Sequence, residues 1–213
     1  MRNRCIGGWL LAMGLMLCAC EDHQQALPAY RQDLAELTTD LTGRAYRLSL
    51  DDGSVRKIQN TVSGLVPDTV YRILALYLDA EEGKTVTLQG ANTVFSPLPV
   101  EEDQLEDMKT DPLEVKSLWP CKRYINLLVG IKTGGGQHAL GFIDHGLDTT
   151  ATGTHKLKLE LFHDQKGDTQ FYTQNAYLSC PIYPYAGSLV EGQDSVELKV
   201  NTFKGVITRR FLY

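Results

Sequence analysis

The sequence lacks most of the spacings that carry chemistry. No Cys-x-x-Cys pair occurs, so a dithiol redox couple is not written into it. No Gly-x-Ser-x-Gly elbow holds a serine against a base, and no His-x-His or His-x-x-x-His sets two imidazoles on one face. The run Gly134-Gly135-Gly136 follows a strand, but no helix follows it, so it reads as a flexible turn rather than a phosphate cradle. Positive charge is also short: 21 basic residues face 26 acidic ones, a net charge of −5. Nucleic acid is therefore a poor partner, because its affinity rests on Lys and Arg neutralising phosphates. An uncharged run long enough to span a bilayer, about 20 residues, is missing too.

What is present begins at the amino terminus. Arg2 and Arg4 precede an uncharged stretch from Cys5 to Ala19, and Glu21-Asp22 ends it. A basic start before an apolar segment of this length is the pattern of an export signal. Leu17-Cys18-Ala19-Cys20 resembles the lipobox of bacterial lipoproteins, with a branched apolar residue, a small residue and then the obligatory cysteine. That resemblance implies that residues 1–19 are cleaved and that Cys20 becomes the acylated first residue. One acyl chain holds marginally and two or more hold stably, so the chain is expected on a membrane surface with no spanning helix. Losing Arg2 and Arg4 leaves 19 basic residues against 26 acidic ones, a formal charge of −7.

Residues 20–29 are polar with one proline and form a tether. In the next segment Tyr30, Leu34, Leu37 and Leu41 recur at helical spacing, while Thr38, Thr39 and Thr42 weaken a helix. Thereafter the pattern is β: Ala45–Leu50, a turn at Asp51-Asp52-Gly53, Ser54–Ile58, Val70–Leu78 and Thr85–Leu88. These strands fill residues 30–96, the size of a small barrel. Residues 97–111 hold many acids, open on Pro97 and Pro99 and are followed by Pro112, and read as a solvated connector. From 112 to 213, large aliphatics alternate with polar residues in Ile125–Ile131, Leu157–Leu161 and Val196–Val200. One buried and one wet face is the mark of antiparallel sheets on a core. With Leu113–Trp119 and Val206–Tyr213, about seven strands are expected here, which suits a sandwich.

Several of these segments resemble the NigD-like lipoproteins, in order and spacing along the chain from Cys20 to Tyr213. They are the lipobox with acidic residues after it, Asp111-Pro112, Leu113–Trp119, Arg123–Leu127, Leu159–Asp164 with Gly167-Asp168, and Asp194–Leu198 before a terminal aromatic strand. The resemblance implies an all-β fold, an OB-type barrel followed by an antiparallel β-sandwich, with Tyr30–Leu41 as the first barrel strand. It also implies an exported lipoprotein of the outer membrane, displayed on the cell surface, since acidic residues after the lipidated cysteine accompany such display. The family name comes from a bacteriocin operon, which points to immunity or secretion, but the family transfers no catalytic residue.

The remaining candidates follow from the residues. Cys121 and Cys180 survive processing and would meet an oxidising compartment, where they either pair or stay as small buried hydrophobes. Tyr183 and Tyr185 sit between Pro181 and Gly187, held out of any central strand, and are a candidate binding surface. His138, His145, His155 and His163 lie within 26 residues beside several aspartates. His155 and His163 share one strand face, but eight residues of strand span roughly 26 Å, too wide for one ion. No metal and no cofactor is expected, and His163–Asp168 reads as a plain hairpin. Function is thus expected to be binding of a protein or glycan partner without catalysis. The alternatives are an immunity or secretion factor, or a hydrolase with dispersed carboxylates.

Overall fold

The computed structural model describes residues 29–80, 83–105 and 107–213. Five strands come first: β1 (Tyr30–Thr39), β2 (Ala45–Leu50), β3 (Val55–Ile58), β4 (Val70–Ala80) and β5 (Thr85–Thr93). They close into a barrel in the order β1-β2-β3-β5-β4, with β4 returning to β1. Closure leaves the sheet no free edge. The barrel core is Leu37, Leu48, Ile73, Ala75, Tyr77 and Val86 with their neighbours. Tyr77 is wholly buried and its hydroxyl donates to Asp33 at 2.8 Å, so the one polar atom it brings inside is satisfied.

Helical spacing in Tyr30–Leu41 is misleading. Of its four residues only Leu34 and Leu37 are buried, while Tyr30 and Leu41 are 56% and 82% exposed. As a strand, the segment pairs with β4 from Tyr30↔Leu78 to Thr38↔Val70 and with β2 on its other side. The strand assignment implied by the family resemblance holds. Two sheet partners supply more hydrogen bonds than an isolated, threonine-weakened helix.

The remaining strands are β6 (Val100–Glu101), β7 (Glu114–Pro120), β8 (Tyr124–Thr133), β9 (Ala139–Thr149), β10 (His155–Asp164), β11 (Tyr172–Pro181), β12 (Ser195–Thr202) and β13 (Gly205–Leu212). They form a five-stranded sheet, β13-β12-β10-β9-β6, and a three-stranded sheet, β11-β8-β7. Leu127, Val129, Leu157, Leu159, Leu178 and Leu198 are among the residues buried between them. The expected period of two appears in Leu157, Leu159 and Leu161, which are buried while Lys156 and Lys158 are not; Glu160, expected on the wet face, is buried as well, paired with His145 and Lys199.

The acidic stretch 97–111 is not simply solvated. Val100 and Glu101 add β6 to the edge of β9, and Thr110 bridges to His163. Backbone pairing of this kind does not register in side-chain polarity. Just before it, Val94 bonds to Arg72 and Phe95 accepts the Ser179 amide at 3.0 Å, so the crossing segment covers the free edge of β11. Among the described residues no helix is long and apolar enough to cross a membrane.

Candidate functional site: a cleft between barrel and sandwich

A cleft of about 720 Å³ opens where barrel and sandwich meet. Its floor is built around Arg72, which β4 points away from the barrel core because Tyr71, Ile73 and Ala75 take the alternate direction or the interior. Arg72 is 7% exposed. Its Nη1 and Nη2 donate to the two Asp51 oxygens at 2.6 and 2.7 Å, a bidentate pair. Nη2 also reaches Asn126 Oδ1 at 2.9 Å, and Nε reaches Ser179 Oγ at 3.0 Å. Asn126 in turn donates to Asp51 at 2.8 Å, and Ser179 donates to Asn126 at 2.7 Å. The guanidinium carbon lies 4.1 Å from the Tyr124 ring centre. Asp51 and Arg72 belong to the barrel, Tyr124, Asn126 and Ser179 to the sandwich. This is one hydrogen-bonded network across the junction, and Asn126 and Ser179 are fully buried in it.

A second pairing forms the wall. Glu36 of β1 accepts from the Tyr124 hydroxyl at 2.6 Å and from Arg123 Nε at 2.8 Å. Burial, then the bonded Glu36, pushes the Tyr124 phenol up, so it remains a donor. Arg123 stacks over Tyr183 at 4.4 Å, and Tyr183 meets Tyr124 edge to face at 5.8 Å. Arg47 and Lys122 complete the rim. Arg47 bonds to the Thr38 hydroxyl at 3.2 and 3.3 Å and lies 5.8 Å from the Tyr46 ring centre, and Lys122 reaches Glu191 at the outer limit of 4.0 Å. The cleft thus presents cationic groups and aromatic faces. Its two acids, Glu36 and Asp51, are already engaged by donors.

The residues singled out from the sequence are distributed unevenly. Tyr183 lines the cleft, in a single 3-10 turn spanning Tyr183–Tyr185. Tyr185 turns inward instead, packing on the sandwich core while its hydroxyl donates to Asp144 at 2.7 Å. Cys121 and Cys180 are both free thiols. Cys180, in β11, is wholly buried in the sandwich core, whereas Cys121, just past β7, has its Sγ 3.7 Å from the cleft-side amide of Asn126. Burial, followed by the Asp51 charge, pushes the Cys121 thiol up, away from the reactive thiolate. Cys20 and the lipobox lie outside the described residues.

Sequence reasoning missed the centre of the site. Arg72 and Asn126 are single polar residues inside otherwise apolar strands, VYRILALYL and INLLVGI, and that interruption was the available signal. It also missed a buried histidine pair. His138 and His163 stack with ring centres 5.1 Å apart, their Nδ1 and Nε2 atoms 2.9 Å from each other. His163 Nδ1 donates to the Asp111 carbonyl at 2.9 Å, which leaves its Nε2 as the acceptor. His138 Nε2 lies 3.1 Å from Asp168, which only accepts. The triglycine turn is pinned rather than loose, since Gly134 and Gly136 amides donate to Asp168 at 2.9 and 3.0 Å.

Residues 96–213 match the NigD-like C-terminal β-sandwich domain. The chain belongs to the NigD-like family. Its whole fold recurs in solved structures. A NigD-like immunity protein from Bacteroides caccae shares 23% identity and a TM-score of 0.66, over 87% of this chain and 98% of that one. A candidate toxin-related protein from Parabacteroides distasonis gives 18% and 0.67, over 87% and 93%. A candidate lipoprotein from Bacteroides fragilis gives 12% and 0.57, over 86% and 97%. At these identities the likeness is one of fold. No curated protein matches the chain.

Proposed function

We propose that this NigD-like protein is a non-catalytic lipoprotein of the outer membrane, displayed at the cell surface on acyl chains carried by Cys20. Its task is to bind an anionic protein or glycan partner in the cleft between barrel and sandwich. The observation that carries this reading is the rim: Arg47, Lys122 and Arg123 stand beside the Tyr183 ring over a floor locked by Arg72. A preformed concave site with a few convergent polar groups is the usual form of a binding pocket. Absence of turnover is supported by the acids being spent on Arg, Tyr and Asn donors and by the raised thiol of Cys121. The lipobox and the candidate lipoprotein that shares the fold support the anchor.

A second reading, an immunity role, is favoured by the likeness to the NigD-like immunity protein from Bacteroides caccae. It would make the cleft's partner a toxin rather than a glycan.

The test is calorimetric titration of the Cys20→Ser chain with acidic oligosaccharides and acidic peptides. Saturable binding is expected, weakened about tenfold or more in Arg123→Ala, since a hydrogen bond to a charged group contributes about 1.5–3 kcal/mol. Hydrolysis of a titrant, or affinity unchanged in Arg123→Ala, would contradict the proposal.

A further inference from the structure

The sandwich is open along one side. There β7 is the outer strand of one sheet and β13 the outer strand of the other, and among the described residues neither has a partner on its free edge. Residues 113–118, at the start of β7, and Phe203, Lys204, Ile207 and Arg209, at the start of β13, line a cavity of about 560 Å³. Their last residues, 120–122 and 211–213, line another of about 380 Å³. The two edges therefore run side by side in the same direction with a trough between them. Its floor is apolar: Val115, Leu118, Ile207 and Phe211 are only partly covered by the core they pack on. At one end the Leu113 amide bonds to Asn201 at 3.3 Å and Lys132 sits 4.4 Å over the Phe203 ring, which ties the sheets together there.

Charge along this trough opposes that of the molecule. The chain is net negative, yet Lys116, Lys132, Lys204 and Arg209 line the larger cavity against one acid, Glu114. Among the described residues none of these four cations has a carboxylate within 4.0 Å. Basic residues on an edge strand do guard against self-pairing. That role accounts for the charge but not for an apolar trough two cavities long. It also disfavours a second copy of this chain, whose matching edge would bring like charge.

We propose that the trough receives an extended strand from a partner protein in which apolar and acidic residues alternate. Apolar side chains would sink between the sheets, carboxylates would meet Lys116, Lys204 and Arg209, and the backbone would pair with the open edge of β7 or β13. Strand addition of this kind draws affinity from main-chain bonds and specificity from alternate side-chain pockets. A strand of six to eight residues spans about 20–27 Å, which matches seven-residue β7.

The experiment uses a fluorescent eight-residue peptide alternating Val and Glu, titrated against the Cys20→Ser chain by anisotropy, with hydrogen exchange read on both edges. Binding is expected, with slowed exchange in Glu114–Pro120 or Val206–Leu212, and no binding of the Val/Lys counterpart. The exposed pair Lys116→Glu with Arg209→Glu should weaken it at least tenfold. Arg123→Ala, in the cleft, should leave it unchanged, so failure here is separable from failure of the cleft reading. The inference is overturned if the Val/Lys peptide binds equally, if neither edge gains protection, or if Arg123→Ala abolishes binding.

Discussion

Asp168 gathers more donors than any other carboxylate of the sandwich ends. One of its oxygens accepts from the Thr133 hydroxyl at 2.5 Å and the Gly134 and Gly136 amides, with His138 alongside. The Thr133 hydroxyl first, and then the Gly134 amide, hold this carboxyl well below the usual range. A carboxyl so depressed contributes stability that is present above its unfolded value, about 3.9, and is lost as pH falls below it. His163 adds the same sign at a higher pH. Burial lowers its folded value, so the unfolded chain takes up a proton near pH 6.5 that the folded pocket refuses, and acid favours unfolding. The thermal midpoint should therefore fall in two stages on acidification, below about pH 6.5 and again below about pH 4. In Asp168→Asn the second drop should be smaller; melts followed by circular dichroism from pH 7 to 3 would show it. An unchanged profile would remove Asp168 from the account. The Lys-Gly-Asp turn around Asp168 was legible as a turn. Its partners, 30 to 35 residues away in sequence, come together because the β8–β9 and β10–β11 connections emerge at one end of the sandwich, and no local pattern encodes that.

At the scale of elements the alternating strands of the second half were legible because a buried face must be apolar at every other position. Strand β1 was legible only through family resemblance, since its exposed Tyr30 and Leu41 completed a false helical stripe. The turn that joins β1 to β2 shows what local chemistry does. Asp40 Oδ1 accepts from the Thr42 amide and hydroxyl and from the Arg44 amide, at 2.8, 2.6 and 3.0 Å. Gly43 follows at φ 74, and a Cβ there would run into the Leu65 carbonyl oxygen. Gly53, in the β2–β3 hairpin, has a similar φ of 85 but open space around it. Both alanine substitutions carry left-handed strain of about 1–2 kcal/mol, and only Gly43→Ala adds a collision with backbone. Urea unfolding should rank Gly43→Ala as clearly the more destabilised; equal losses would mean that the β1–β2 turn yields freely.

For the whole molecule the decisive residue is Arg72. Barrel and sandwich each have a core of their own, and the Arg72 guanidinium, held by Asp51 of the barrel, reaches Asn126 and Ser179 of the sandwich, 54 and 107 positions away. Such distances leave no periodic trace, which is why both modules were legible and the cleft between them was not. Removing one partner of a buried pair costs about 3–5 kcal/mol, because Asp51 loses its bidentate cation, and Asn126 Oδ1 and Ser179 Oγ each lose a charged donor. The direct measurement is urea unfolding of the Cys20→Ser chain and its Arg72→Ala variant, followed by two probes. Trp119, the only tryptophan among residues 29–213, lies on β7 facing Leu34, Leu50 and Leu74 of the barrel and so reports the junction, and far-ultraviolet circular dichroism reports both modules. Coincident transitions are predicted for the parent chain, and separated, earlier ones for Arg72→Ala. Coincident transitions at unchanged midpoint in the variant would contradict the claim that Arg72 joins the two modules and shapes the cleft between them.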